Sequence, residues 1–95
     1  MAVEIKTIHL IISGRVQGVC YRVWVVEQAT KRGLAGWVRN RLEGTVEALF
    51  SGSANAVEEL IAECYQGPSF ARVDHIELTP ANPPADPVFK KIATC

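Results

Sequence analysis

The segment "GRVQGVCYR", Gly14 to Arg22, sets two glycines, a cysteine and two arginines directly behind an apolar run, "KTIHLIIS". A strand that enters a glycine-bearing turn and leaves it as a helix aims successive backbone N–H groups at one point, and the helix dipole adds positive potential there. The natural ligand of such a cradle is a phosphate. Arg22 falls in the first turn of the expected helix, where a cation opposes the dipole and where burying an unpaired guanidinium costs on the order of several kcal/mol. An arriving anion removes both penalties. The alternative is an internal carboxylate, the usual partner of a buried arginine. Arg15, earlier in the loop, reads as a solvated charge.

The spacing excludes two familiar phosphate loops. A nucleotide-binding P-loop has four residues between its glycines and Lys-Ser/Thr after the second. Here Gly14 and Gly18 are separated by three, and Val19-Cys20 come next. A cysteine nucleophile sharing a phosphorus with an arginine opens its loop about five residues ahead of that arginine, whereas only Tyr21 separates Cys20 from Arg22. Cys20 is therefore expected to pack near the loop as a small apolar group, and Cys64 to lie on the core face of a helix.

These residues require a strand in front and a helix behind. "IKTIHLIIS" alternates Ile8, Leu10 and Ile12 against His9, Ile11 and Ser13, both faces fairly apolar, which predicts a central strand. "RVWVVEQATKRG" places Arg22, Val25, Val26 and Ala29 at helical spacing, with a helix from roughly Tyr21 to Arg32 stopped by Gly33. "LAGWVRNRLEGTVEALFSG" reads as a hairpin turning at "NRLEG", with Val46, Ala48 and Phe50 alternating in its second strand. "SANAVEELIAECYQG" predicts a helix capped by Ser53 or Asn55, striped by Val57, Leu60, Ile61 and Cys64, and ended by Gly67-Pro68. In "ARVDHIELTPA" a fourth strand sets Val73, His75 and Glu77 against Ile76 and Leu78. "NPPADP" is a surface connection, and "VFKKIAT" a short edge strand. The order βαββαβ packs as a ferredoxin-like α+β sandwich: two helices on one face of a mainly antiparallel sheet, plus the short C-terminal edge strand.

That architecture serves many functions, so composition must narrow them. A chain of 95 residues is expected to form a single domain, 1–95, with one site. Its ten basic and ten acidic residues cancel, which argues against nucleic acid and against an anionic membrane surface. An RNA-recognition module would also carry stacking aromatics where "TVEALF" has Glu47 and Ala48. "MAVEIKTIHLII" is too short and too polar for a signal peptide or a membrane span, so a cytoplasmic protein is expected. Cys20, Cys64 and Cys95 lack C-x-x-C spacing, so neither disulfides nor a metal site is expected, and a metallochaperone would need paired cysteines in the first loop.

"GRVQGVCYR", with "GLAGWVRNRLEGTVEALFSG" behind it, resembles the acylphosphatase family, whose pattern is G-x-V-Q-G-V-x-F/Y-R and then G-L-x-G-W-V-x-N. Both motifs occur in order through the first half of the chain, while "FKKIATC" departs from the family's usual ending. The resemblance implies hydrolysis of acyl phosphates to a carboxylate and inorganic phosphate, without metal or cofactor. It also implies roles by position. Arg22 is similar to the phosphate-binding arginine, and Asn40 to the residue that orients the attacking water. The backbone of Val16, Gln17, Gly18, Val19, Cys20 and Tyr21 is similar to the phosphate cradle.

The chemistry suits so sparse a set. The leaving group is a carboxylate, whose conjugate acid has a pKa of about 4 to 4.5 by analogy with side-chain carboxyls, so no general acid is needed. An amide at position 40 can orient water without repelling the phosphate dianion, as an aspartate would. Alternation puts Asn40 on the side of Val38, the side that helices should cover; otherwise it would serve only to shape the hairpin. His9 and His75 are expected to be strand residues. The expected partners are a small acyl phosphate, and inorganic phosphate or sulfate as product or inhibitor, bound by a monomer. The alternative is a non-catalytic anion-binding module of the same fold, which could dispense with Asn40.

Overall fold

β1 (Ile5–Arg15) buries Ile8, Leu10 and Ile12 on one face, as their alternation requires. In the computed structural model, which describes residues 4–95, this strand lies inside the sheet with neighbours on both edges. Residues 1–3, the start of the stretch expected to be neither signal peptide nor membrane span, lie outside the described residues. The remaining elements are α1 (Tyr21–Lys31), β2 (Ala35–Asn40), β3 (Val46–Ser53), α2 (Ala54–Cys64), β4 (Arg72–Pro80) and β5 (Phe89–Lys91). The sheet order is β4-β1-β3-β2-β5. The first four strands pair antiparallel, and β5 runs parallel to β2 at the edge. This is the ferredoxin-like order with its extra edge strand.

Both helices cover the face that carries Leu10, Val38, Ala48 and Phe50, and Val25, Ala29, Val57 and Leu60 complete one contiguous core. Ser53, not Asn55, caps α2: its Oγ accepts from Ala56 N–H at 3.3 Å. The stripe of α1 differs from the expected one. Tyr21, Val25 and Ala29 are its buried residues, while Arg22 and Val26 sit at its margin. Tyr21 displaces Arg22 because its ring reaches α2 and its hydroxyl donates to the Cys64 carbonyl at 2.7 Å. A second correction concerns β4. The β1–β4 register shifts between Ser13 and Gly14, and Val73 packs against the core instead of sharing the outward side of His75 and Glu77. An extra residue in one strand reverses the facing of the residues beyond it.

The opposite face is open and holds a charge cluster around Glu47, which is only 6% exposed. His9 Nε2 lies 2.6 Å from one carboxylate oxygen and Arg39 Nε 2.7 Å from the other, with an Arg41 guanidinium nitrogen at 3.5 Å. Burial works against the charged form of Glu47, but the hydrogen bonds from His9 and Arg39 outweigh it and hold the carboxyl below its usual range. His9 is thus a strand residue, as expected, hydrogen-bonded to Glu47, and His75 is exposed on β4.

Gly36 marks where β2 is packed most tightly. Its φ is 137°, and a Cβ there would collide with the Leu49 carbonyl oxygen of β3. Gly36→Ala should therefore lower stability by about 3 kcal/mol or more, read as a drop in the urea midpoint at unchanged m-value. A variant as stable as the parent would show that β2 and β3 can separate at this point.

Candidate active site

Between β1 and α1 the loop is held by what it buries. Val16 is 1% and Val19 7% exposed, so both side chains turn inward and the intervening backbone stays at the surface. Gly18 has φ 73° and Cys20 φ 64°, and Cys20 is the one non-glycine residue at positive φ among those described. Gly18 and Cys20 thus stand in the left-handed region on either side of Val19. Glycine adopts this conformation freely; cysteine does so at a cost of about 1 kcal/mol, so the tertiary structure must hold it there.

Helix α1 begins without ordinary caps. Cys20 is its N-cap residue yet makes no side-chain hydrogen bond, and the first turn contains no acidic residue. Trp24 N–H, bonded to the Cys20 carbonyl at 3.1 Å, is the first of α1 to find an acceptor. The N–H groups ahead of it bond to no backbone acceptor among the described residues and lie at the positive end of the helix dipole. Arg22 stands in this turn. Among the described residues Arg32, Arg39, Arg41 and Arg72 pair with carboxylates, and Arg22 does not. The internal partner that an arginine usually finds is therefore absent here.

Asn40 arrives from the end of β2. It shares the helix-covered face with Val38, as alternation requires, and pairs in the ladder with Val46. Its carbonyl accepts from Cys95 N–H at 3.2 Å. Its side-chain oxygen is buried, and no protein group donates to it. A buried amide oxygen without a protein donor is uncommon.

Val16, Gly18, Cys20, Tyr21, Arg22, Val23 and Asn40 together line one cleft of about 320 Å³. Gln17 and Val19 are not among its walls: Val19 anchors the loop in the core, and the Gln17 side chain turns to the β2–β3 connection. Cys20 is exposed and does not pack as a small apolar group, because its left-handed backbone carries the side chain outward. Val23, half exposed beside Arg22, is a wall the sequence did not single out; exposed apolar residues on helices are too common to signal a site. Among the described residues no three His, Cys, Asp or Glu side chains come together as a metal site would require.

With this geometry established, the relatives become informative. The model of the family described as Acylphosphatase matches residues 8–91. The chain belongs to the acylphosphatase family. Over 86 residues it is 58% identical to the acylphosphatase of Acidiphilium cryptum, covering 90% of this chain and 94% of that one. The solved acylphosphatase of Bacillus subtilis superposes with a TM-score of 0.86 at 36% identity, covering 94% and 99% of the two chains. That of Coxiella burnetii superposes with a TM-score of 0.88 at 30% identity, covering 93% of each. Both acylphosphatase structures span the described elements nearly end to end.

Thiol reactivity tests the placement of the loop. Burial pushes the Cys64 thiol up to about 12, so at pH 8 a disulfide reagent should titrate Cys20 and Cys95 quickly and Cys64 only after unfolding. Inorganic phosphate should slow the reaction of Cys20 and leave Cys95 unaffected. Equal rates at Cys20 with and without saturating phosphate would place the anion elsewhere.

Proposed function

We propose that the chain hydrolyses the carboxyl–phosphate bond of acyl phosphates, with Arg22 and the N–H groups of the loop from Val16 to Tyr21 holding the phosphoryl group and Asn40 orienting the attacking water. One observation carries these roles. Arg22, without a carboxylate partner, and the donor-free side-chain oxygen of Asn40 enter the same cleft from different elements. A cation awaiting an anion and an acceptor awaiting a donor are what an in-line attack of water on a bound phosphoryl group requires.

The phosphoryl oxygens carry the charge that must be stabilised as the bond breaks, and a preorganised guanidinium with backbone N–H groups does this without reorganisation. Water adds to phosphorus on the face opposite the acyl oxygen. As the new P–O bond forms, the old one breaks, and its electron pair leaves with the carboxylate. The proton shed by the water passes to a phosphate oxygen, giving inorganic phosphate. The carboxylate needs no proton at neutral pH, so the absence of an acid in the cleft costs nothing. The Tyr21 phenol could not serve as one that exchanges protons, since burial beside Cys64 pushes it far above its ordinary value.

We place the protein in the cytoplasm as a monomer that binds neither nucleic acid nor membrane. Net charge zero, three free cysteines and the lack, among described residues, of any helix long and apolar enough to cross a membrane support this. On the sheet face away from the helices Glu47 and Leu49 are buried, and the Trp37 ring is already engaged by His9 and Arg39.

The roles separate by measurement. Benzoyl phosphate turnover in the presence of a chelator should be retained by the parent. Arg22→Ala should weaken phosphate binding and slow turnover, and Arg22→Lys should fail similarly because a point ammonium lacks the planar fork. Asn40→Ala should lower kcat by roughly a hundredfold or more while phosphate Kd from calorimetry stays near the parent value. An Asn40→Ala variant that turns over at the parent rate would remove the water-orienting role. A parent that binds phosphate but does not hydrolyse benzoyl phosphate would leave only an anion-binding module.

A further inference from the structure

One side chain ties the phosphate loop to the hairpin that carries Asn40. Gln17 Nε2 donates to the Arg41 carbonyl at 2.8 Å and to the Thr45 carbonyl at 2.8 Å, so both N–H bonds of its amide are used. Those carbonyls belong to the pair that closes the β2–β3 turn. Arg41 N–H bonds to the Thr45 carbonyl at 2.9 Å, and Gly44 N–H to that of Arg41 at 3.0 Å. Arg41 is the residue directly after Asn40. Among the described residues no backbone hydrogen bond joins residues 16–20 to residues 40–46, so this amide is the polar link between the two halves of the cleft.

The choice of side chain is set by the groups it must bridge. Two carbonyl oxygens call for two donors on one planar nitrogen, and an amide supplies them without charge. Lysine or arginine would add a second cation beside Arg22, and glutamate would set a carboxylate against two carbonyls. Asparagine offers the same donors on a stem one methylene shorter.

We propose that Gln17 is a positioning residue for hydrolysis: its bridge fixes the separation of Asn40 from the loop, so that the water held by Asn40 stands in line behind a phosphorus held by the loop. In-line displacement is sensitive to that separation, since a misplacement of about 1 Å can cost about a hundredfold in rate. Binding of the phosphoryl group alone does not depend on it, because the loop and Arg22 form the anion site without the hairpin. Gln17 should therefore act on turnover and spare affinity. The role rests on Asn40 orienting the water, and the test separates the two.

Gln17→Met keeps the length of the side chain and removes both donors. It should lower kcat for benzoyl phosphate about tenfold or more while the Kd of inorganic phosphate from calorimetry changes by less than about threefold. Combined with Asn40→Ala it should add no further loss, because a bridge that acts through Asn40 has nothing left to position. The inference is overturned by a Gln17→Met kcat at the parent rate, by an equal fold-loss in the parent and Asn40→Ala backgrounds, or by a phosphate affinity that falls as much as kcat. A fast Asn40→Ala would sink the water-orienting role and this one with it, whereas a slow Asn40→Ala beside a fast Gln17→Met sinks only the bridge. Should Gln17→Met not fold by circular dichroism, Gln17→Asn, too short to span both carbonyls, is measured in its place with the same outcomes.

Discussion

A backbone loop that is to hold an oxyanion has to leave its N–H groups unbonded inside the fold, and so it cannot be held in shape by the hydrogen bonds that shape most of a protein. Everything around Gly14–Arg22 answers that constraint. Val16 and Val19 sink into the core and Tyr21 bonds to the far end of α2, while the Gln17 amide serves to place the hairpin against the loop. The loop is fixed by its side chains so that its backbone can stay free. Cys20 in a left-handed conformation is the visible strain of that arrangement, kept because the residues on both sides are anchored.

Charge is distributed by the same logic across the two faces of the sheet. On the open face Glu47 gathers His9, Arg39 and Arg41, and Arg41 also pairs with Glu43. The arginines nearest Asn40 in sequence are therefore neutralised on the side away from the cleft. Arg22, on the helix-covered side, has no carboxylate partner among the described residues. Among the described residues a neutral chain thus leaves the Arg22 guanidinium unpaired beside a helix N-terminus, where the dipole by itself disfavours a cation.

β5 and the residues after it complete the frame. β2 would be an edge strand without β5, and Asn40 sits at its last position. Ile92 N–H bonds to the Val38 carbonyl at 2.9 Å, Cys95 N–H to that of Asn40 at 3.2 Å, and Leu42 N–H to the Cys95 carbonyl at 2.8 Å. The backbone of Asn40 is thus held between the C-terminal segment on one side and the ladder to β3 on the other. Stiffness at this point is what the role proposed for Asn40 requires, since the usefulness of an orienting amide depends on where it points rather than on its acidity.

Periodicity was enough to fix the existence and type of every element, because burying one face forces alternation in β1 and β3 and a 3.6-residue repeat in α2. The two family motifs pointed to the loop, Arg22 and Asn40, and the fold brings Arg22 and Asn40 to one cleft with Val16, Gly18, Cys20 and Tyr21. The place of Tyr21 at the head of the α1 stripe was hidden, since at the first turn either Tyr21 or Arg22 satisfies the repeat and only contact with α2 decides. The reversal at Val73 was hidden because a bulge leaves no mark in composition. Gln17 read only as a backbone member of the phosphate cradle: the partners of its side chain lie 24 and 28 positions further on, and a hydrogen bond to backbone carbonyls imposes no residue type on its acceptors. Local preferences are written along the chain, whereas the distance between Asn40 and the loop exists only once β2, α1 and the turn are packed together.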